Sequence, residues 1–332
     1  MSTDAAMPAR TLITISIPIL NERDNLEALL ARLDAVAKTE AGYDFEFLFT
    51  DNASEDDSFE YLTERAKDDP RIRVLRFSRN FGFQKSILCN YQNARGAAAI
   101  QIDADMQDPP EMISDFLRKW EEGYKVVYGI RKRRQESPVM HWSRKIYYAL
   151  VTWLSQTDVP RDAGDFRLVD GVIVDRLAHV SEQTPYLRGL IASFGYAQTG
   201  IPYDRDSRKA GKSKFRLFQL IELGIDGITA QSVRPLRIVT MFGIALSFVT
   251  FVAGIYYLGL SLFYYSRLPS GFTTIVLLLL FLIGLNSFLL GLLGEYIGRI
   301  FNNTRGLPMT IIEHRIEHPD ARGPNPDGED VT

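Results

Sequence analysis

The chain has 332 residues, with 38 Lys and Arg against 41 Asp and Glu, a formal net charge of −3 and one cysteine. Without a dominant basic excess it does not read as a nucleic-acid protein. The single thiol, Cys89, excludes an internal disulfide framework, and in a helix-like segment it reads as a small buried side chain. From the N-terminus, Leu12 to Leu20 is an apolar run that reads as a strand. It is short, contains Pro18 and has no basic leader, so it is not a signal peptide. Leu26, Leu29, Leu30 and Leu33 then mark one face of a helix, and Phe45, Phe47 and Phe49 alternate as in a strand ending at Asp51. The pattern continues with a helix over 57–68 whose N-cap is Ser54, a strand 72–77, a helix 84–94, a strand 97–102, a helix 110–122 and a strand 126–130. Repeated β-α-β units predict an α/β domain with a mostly parallel, Rossmann-like sheet covered by helices on both faces.

Two uncharged stretches follow, 238–266 and 268–294, joined by a short turn around Arg267, Pro269 and Gly271. Each exceeds the roughly 20 apolar residues that cross a bilayer, so they predict a two-helix transmembrane hairpin. Arg205, Arg208, Lys209, Lys212, Lys214, Arg216, Arg234 and Arg237 precede the hairpin, and Arg299 and Arg305 follow it. The positive-inside rule places both termini and the soluble domain in the cytoplasm of a cell with the chain in its inner, plasma membrane. The organisation expected is a flexible 1–10, a catalytic domain 11–204, a basic amphipathic membrane-proximal segment 205–237, the two spans, a cytoplasmic segment 295–317 in which 301–313 returns to the surface, and a disordered tail 318–332, rich in Pro, Gly and Asp. Gly243, Gly291, Gly294 and Gly298 allow close helix packing within the membrane.

Ligands of parallel α/β sheets bind beyond the carboxyl ends of the strands. The polar residues gather there: Asn21 and Glu22, Asp51 and Asn52, Arg79 and Asn80, Asp103 and Asp105, and Arg131. Asp103 and Asp105 stand where an apolar strand meets a Pro-Pro turn, a place suited to a Mg²⁺ or Mn²⁺ ion that shares its ligands with substrate phosphates. Neither a G-x-G-x-x-G after the first strand nor a P-loop is present, which disfavours a dinucleotide oxidoreductase and a P-loop NTPase.

The segments SIPILNERDNL, FLFTDNASEDDS, FSRNFGFQKS, DADMQDPPE and GDFRLVD, in this order, resemble the catalytic domain of family 2 glycosyltransferases of the GT-A type. Over about residues 11–310 the chain is most similar to the polyisoprenyl-phosphate glycosyltransferases: dolichyl-phosphate mannose synthase, the undecaprenyl-phosphate aminoarabinose transferase and the GtrB-like bactoprenol glucosyltransferases. The resemblance implies an inverting transfer of a hexose, with UDP-glucose as the first donor candidate, to a polyprenyl (undecaprenyl) phosphate, giving a lipid-linked sugar for cell-envelope or lipopolysaccharide glycosylation. It implies a homotetramer and a divalent cation, Mg²⁺ or Mn²⁺, bound by Asp103, Asp105 and Gln107, with Asp105 the direct ligand and Asp165 and Asp105 catalytic. Pro18, Asn21, Glu22, Asp51, Lys85 and Asp103 would contact the nucleotide sugar. Arg131, Arg134, Arg205, Lys212, Ser213 and Lys214 would gather the lipid phosphate, a role that guanidinium groups suit and that an exposed basic patch facing anionic lipid would also explain. Asp162 is a rival to Asp165.

A phosphate monoester has a second pKa near about 6, so the acceptor is already a nucleophile at neutral pH. Asp165 is therefore expected to orient the acceptor or to stabilise positive charge at the sugar, and to matter less as a proton acceptor. Two alternatives stay open: a polyprenyl-phosphate mannose synthase using GDP-mannose, and a non-catalytic membrane-anchored scaffold that binds a nucleotide sugar.

Overall fold

The computed structural model describes residues 10–131, 163–183, 185–204 and 272–319, with isolated positions between 236 and 255. Two compact units divide the chain, one of Met1–Ser143, Thr157–Phe215 and Pro308–Thr332, the other of Arg144–Gln156 and Arg216–Leu307. In the first unit β1 (Thr11–Ile19), α1 (Arg23–Thr39), β2 (Tyr43–Asp51), α2 (Ser58–Asp68), β3 (Ile72–Phe77), α3 (Phe83–Asn93), β4 (Ala98–Gln101), α4 (Met112–Glu121) and β5 (Val126–Arg131) follow the expected alternation. The chain then adds β6 (Ala163–Asp170), α5 (Gly171–Leu177), α6 (Leu187–Ser193) and β7 (Gln198–Tyr203).

All eight strands form one sheet in the order β7-β5-β6-β4-β1-β2-β3-β8, where β8 is Ile312–Glu317. β6 and β8 run antiparallel to their neighbours and the other pairings are parallel. Each face of the sheet is covered because each face is apolar. Ile13, Ile15 and Ile17 of β1 and Phe45, Phe47 and Phe49 of β2 pack with the leucine stripe of α1 and with Leu62 of α2 and Phe116 of α4. Ala99 of β4 and Val169 of β6 pack on the other face with Ile87 and Tyr91 of α3, Ile173 of α5 and Ile191 of α6. Burying such side chains contributes about 1.5–3 kcal/mol each, so this two-faced packing fixes the sheet that carries the site.

One local expectation is corrected. Ser54 does not cap α2, whose N-cap position is Asp57 without a side-chain cap bond. The Ser54 hydroxyl accepts from the Asn21 backbone N–H at 2.9 Å instead, tying the loop after β2 to the loop after β1. The segment 301–313 holds the end of a helix and the start of β8, an edge strand on β3. Glu317 anchors that strand, accepting from Arg73 at 3.0 Å and from Arg95 at 2.8 Å.

In the second unit α7 spans Phe272–Thr304 and runs ten residues beyond the end expected for the second span. Its sequence carries no charge from Phe272 to Gly294. Among the described residues no helix is long and apolar enough to cross a membrane, and parts of α7 have side chains outside that description. Most of the first expected span, 238–266, also lies outside the described residues.

Candidate active site

The strand order reverses on either side of β1, between β2 and β4, and the polar residues collect at this crevice. Ile19 pairs with Asp51 and Ser16 with Gln101, so the chain leaves β1, β2 and β4 on one edge of the sheet. Gln101 also pairs with Arg167 of the antiparallel β6, which brings Asp165 alongside Asp103.

The first loop is built by mutual hydrogen bonding. Pro18 is buried opposite Thr50, and Asn21 takes a left-handed backbone with φ 57°. The Glu55 backbone N–H donates to Asn21 Oδ1 at 2.8 Å, and the Glu22 N–H donates to Ser58 Oγ at 3.1 Å. Asp51 is fully buried; its Oδ1 accepts from the Ser54 N–H at 3.0 Å and its Oδ2 lies 3.3 Å from Arg76 Nη1. Burial raises its pKa, and Ser54 and Arg76 only partly offset that. In the third loop Asn52 joins Asn80 and Phe81, while the Arg79 guanidinium sits 4.1 Å over the Phe81 ring. Lys85 is half-buried and donates to Met309 O at 3.3 Å; burial, with Arg79 nearby, lowers its pKa.

The carboxylates form the chemical centre. Asp103 Oδ1 is buried without a hydrogen-bond partner among the described residues. Burial first, then Asp108, Asp165 and Asp105, push its pKa up to about 7 against the opposing pull of Arg131. Asp105 Oδ1 accepts from the Gln107 N–H at 3.1 Å, and the intervening Met106 has a φ of 60°. Gln107 is buried beside them. Asp108 is fully buried, accepts from the Tyr203 hydroxyl and lies 3.7 Å from Arg131 Nη2. Gly164 makes room for this arginine: a Cβ there would stand 3.2 Å from Arg131 Nη2.

Asp165 is held differently. Arg188 Nε donates to its Oδ1 at 2.9 Å and Arg188 Nη2 to its Oδ2 at 2.7 Å, a two-pronged ion pair. Burial works to raise its pKa, but Arg188, Arg167 and Arg131 outweigh burial and hold the carboxyl below its ordinary value. Asp165 therefore stays an anion at neutral pH.

Sequence reasoning missed Asp108, Tyr203, Arg167 and Arg188. Asp108 lay in plain view before Pro109-Pro110 but reads as a turn residue, and Arg188 comes from a helix 23 positions away from its partner. Arg134, Asp162, Arg205, Lys212, Ser213 and Lys214 fall outside the described residues, so only Arg131 of the expected lipid-phosphate set is placed.

A divalent cation fits this chemistry. The buried Asp103 oxygen without a partner and the mutual repulsion of Asp103, Asp105, Asp108 and Asp165 are what a cation would relieve. Among the described residues no group of three or more His, Cys, Asp or Glu is arranged to hold a metal by itself.

The doubly covered sheet with its acidic strand ends defines an α/β fold with a crevice at the carboxyl ends of its strands. Residues 14–178 match the family described as glycosyl transferase family 2. The chain is 37% identical over 302 residues to the uncharacterized glycosyltransferase YkcC of Bacillus subtilis, covering 90% of this chain and 93% of that one. It is 31% identical to the undecaprenyl-phosphate 4-deoxy-4-formamido-L-arabinose transferase of Klebsiella pneumoniae, covering 93% and 95%. It is 30% identical to the prophage bactoprenol glucosyl transferase homolog of Escherichia coli, covering 91% and 98%. The chain belongs to glycosyl transferase family 2 and is a glycosyltransferase.

Proposed function

We propose that the chain transfers a hexose, glucose from UDP-glucose in the first instance, to a polyprenyl (undecaprenyl) phosphate at the cytoplasmic face of a membrane. The observation that carries this reading is the extent of the likeness: relatives named for undecaprenyl-phosphate and bactoprenol transfer align over 91–93% of the chain, through the hydrophobic region as well as the catalytic unit.

The sugar's anomeric carbon is attacked by an oxygen of the lipid phosphate; that C–O bond forms as the bond to the nucleoside diphosphate breaks, and the electron pair leaves on the diphosphate. One displacement inverts the anomeric centre. A dianionic acceptor releases no proton, so no general base is needed. Asp103 and Asp105, with Gln107 beside them, would hold the divalent cation, which when bound supplies charge stabilisation to the departing diphosphate. Asn21, Glu22, Asp51 and Lys85 line the strand ends that receive the nucleotide sugar, and Arg131 stands at the exit of β5 on the acceptor side. Asp165, anionic and fixed, faces positive charge developing at the sugar.

Membrane attachment is supported by α7. Leu278, Leu279, Phe281 and Ile283 are all exposed, at 53–61%, and at about 100° per residue they spread over about 200° of the helix circumference. So wide an apolar arc on a helix uncharged in sequence from Phe272 to Gly294 suits a lipid surrounding. The 23 uncharged residues of its sequence reach about 34 Å at 1.5 Å each, enough for a bilayer core of about 30 Å. A hairpin of two spans is part of this reading, since an even number of crossings would keep Tyr203 and β8, which belong to one compact unit, on the same side. A homotetramer in the membrane is part of this reading.

The test supplies purified protein in detergent with polyprenyl phosphate, Mg²⁺ and a panel of labelled UDP- and GDP-sugars. Label entering the organic phase from UDP-glucose is the expected result. Transfer from GDP-mannose alone would replace the donor, and transfer from none would overturn the reading.

A further inference from the structure

Asp165 and Arg188 form a two-pronged ion pair within the site. Asp103, Asp105 and Asp108 crowd one another, whereas both oxygens of Asp165 are taken by one guanidinium, at 2.9 and 2.7 Å. Arg188 comes from α6, beyond the stretch 14–178 that defines the family match. The helix that delivers it is itself anchored: Leu187 and Ile191 are buried, and the Leu187 N–H donates to Gln84 Oε1 of α3 at 3.4 Å. Neighbouring arginines cannot take its place. Arg167 is committed to Gly164 O at 2.8 Å, and Arg131 to Tyr203 and Asp108.

A lone carboxylate among three others would turn away or take up a proton, because like charges in a low-dielectric site disfavour ionisation. A planar fork that meets both oxygens fixes direction as well as charge, which a lysine ammonium does not. We propose that Arg188 is a positioning residue for glycosyl transfer: its fork holds the Asp165 carboxylate aimed into the strand-end crevice, so that Asp165 serves as a fixed negative charge towards the sugar. This deepens the function proposed above and rests on it. It also gives α6 a task in the reaction.

The role separates from mere structural support by kinetics. In the transfer assay Arg188→Ala is expected to lower kcat about 100-fold, the size of effect that small misplacements of reacting groups produce. KM for the nucleotide sugar should stay within about twofold, since the contact matters only in the transition state. Arg188 is 35% exposed, so free guanidinium can enter the space its removal leaves. Low, non-denaturing guanidinium should therefore restore activity to Arg188→Ala and not to Asp165→Ala. Arg188→Lys should lose most of kcat while keeping the fold. Wild-type-like kcat in either Arg188 variant, a loss confined to KM, or a folded Arg188→Ala that guanidinium leaves unrestored would overturn the proposal. If Arg188→Ala does not fold, Arg188→Lys decides by the same criteria. Absence of transfer by the wild type would instead overturn the functional reading, and is distinguished by that control.

Discussion

Two buried charge clusters sit at different places on one sheet, and they differ in balance. At the β3 edge, Arg73 and Arg95 meet Glu46 and Glu317, two cations for two anions, with Arg73 Nη1 also donating to Asn93 O at 2.9 Å. At the strand ends near β4, Asp103, Asp105, Asp108 and Asp165 face Arg131, Arg167 and Arg188 among the described residues, and one Asp103 oxygen has no hydrogen-bond partner there. The first cluster pins a strand. Among the described residues the second sets four acids against three bases, and such crowding of carboxylates costs stability and is characteristic of sites that take a charged ligand. On the function proposed, similar residue types do opposite work: pairing makes one cluster a fastener, and the crowding of acids would make the other a receptor.

The sharpest way to break this contrast is to neutralise the receptor. Asp105→Asn should lower transfer by at least about 1,000-fold, as expected when several kcal/mol of charge stabilisation are lost, with folding intact by circular dichroism. Near-normal turnover would remove the metal role. Asp165→Asn should cost about 100-fold, and the defect should persist at high pH. Recovery at high pH would mean that Asp165 works as a base, because an acceptor already ionised no longer needs one.

Smaller effects should appear in stability, with opposite signs in the two clusters. Glu317→Gln should destabilise the fold by about 1–2 kcal/mol in denaturant titration, less than a fully enclosed pair because Glu317 is partly exposed. Burial would raise the Glu317 pKa, but Arg73 and Arg95 hold it low. Its contribution is therefore present above its unfolded pKa of about 4.3 and is lost as pH falls below that. Asp103→Asn should do the reverse and raise the melting temperature at neutral pH while abolishing activity. The Asp103 pKa is raised to about 7, so its penalty grows as pH climbs from its unfolded value to about 7. The thermal gain of Asp103→Asn should shrink on acidification and vanish near about pH 4. A gain independent of pH would show that the crowding of carboxylates is not its cause.

The sequence disclosed the sheet as far as β5 because those strands are apolar and alternate with helices of clear period. It failed from β6 onward for physical reasons. β6 carries Asp165 and Arg167 inside the protein, so its buried positions read as polar. β7 contains Gly200 and Pro202, which read as a turn. β8 alternates charge along an exposed edge and follows a long hydrophobic helix, so nothing local announces that it returns to the sheet. The strand-end reading named Asn21, Asp51, Asp103, Asp105 and Arg131, and the structure sets them at or just beyond strand ends. Arg188 and Tyr203 meet their carboxylates only through contacts between positions distant in the chain, 95 apart for Tyr203 and Asp108.

The central claim is that the acidic crevice is a receptor for a divalent cation carried with the diphosphate of a nucleotide sugar. Titrating Mn²⁺ into the detergent-solubilised protein with UDP present, by calorimetry, tests it directly for the wild type, Asp105→Asn and Glu317→Gln. Saturable binding by the wild type and Glu317→Gln, weakened at least about tenfold in Asp105→Asn, is the predicted result, as one lost ligand to a hard cation implies. Equal Mn²⁺ binding by all three, or none by the wild type, would contradict it.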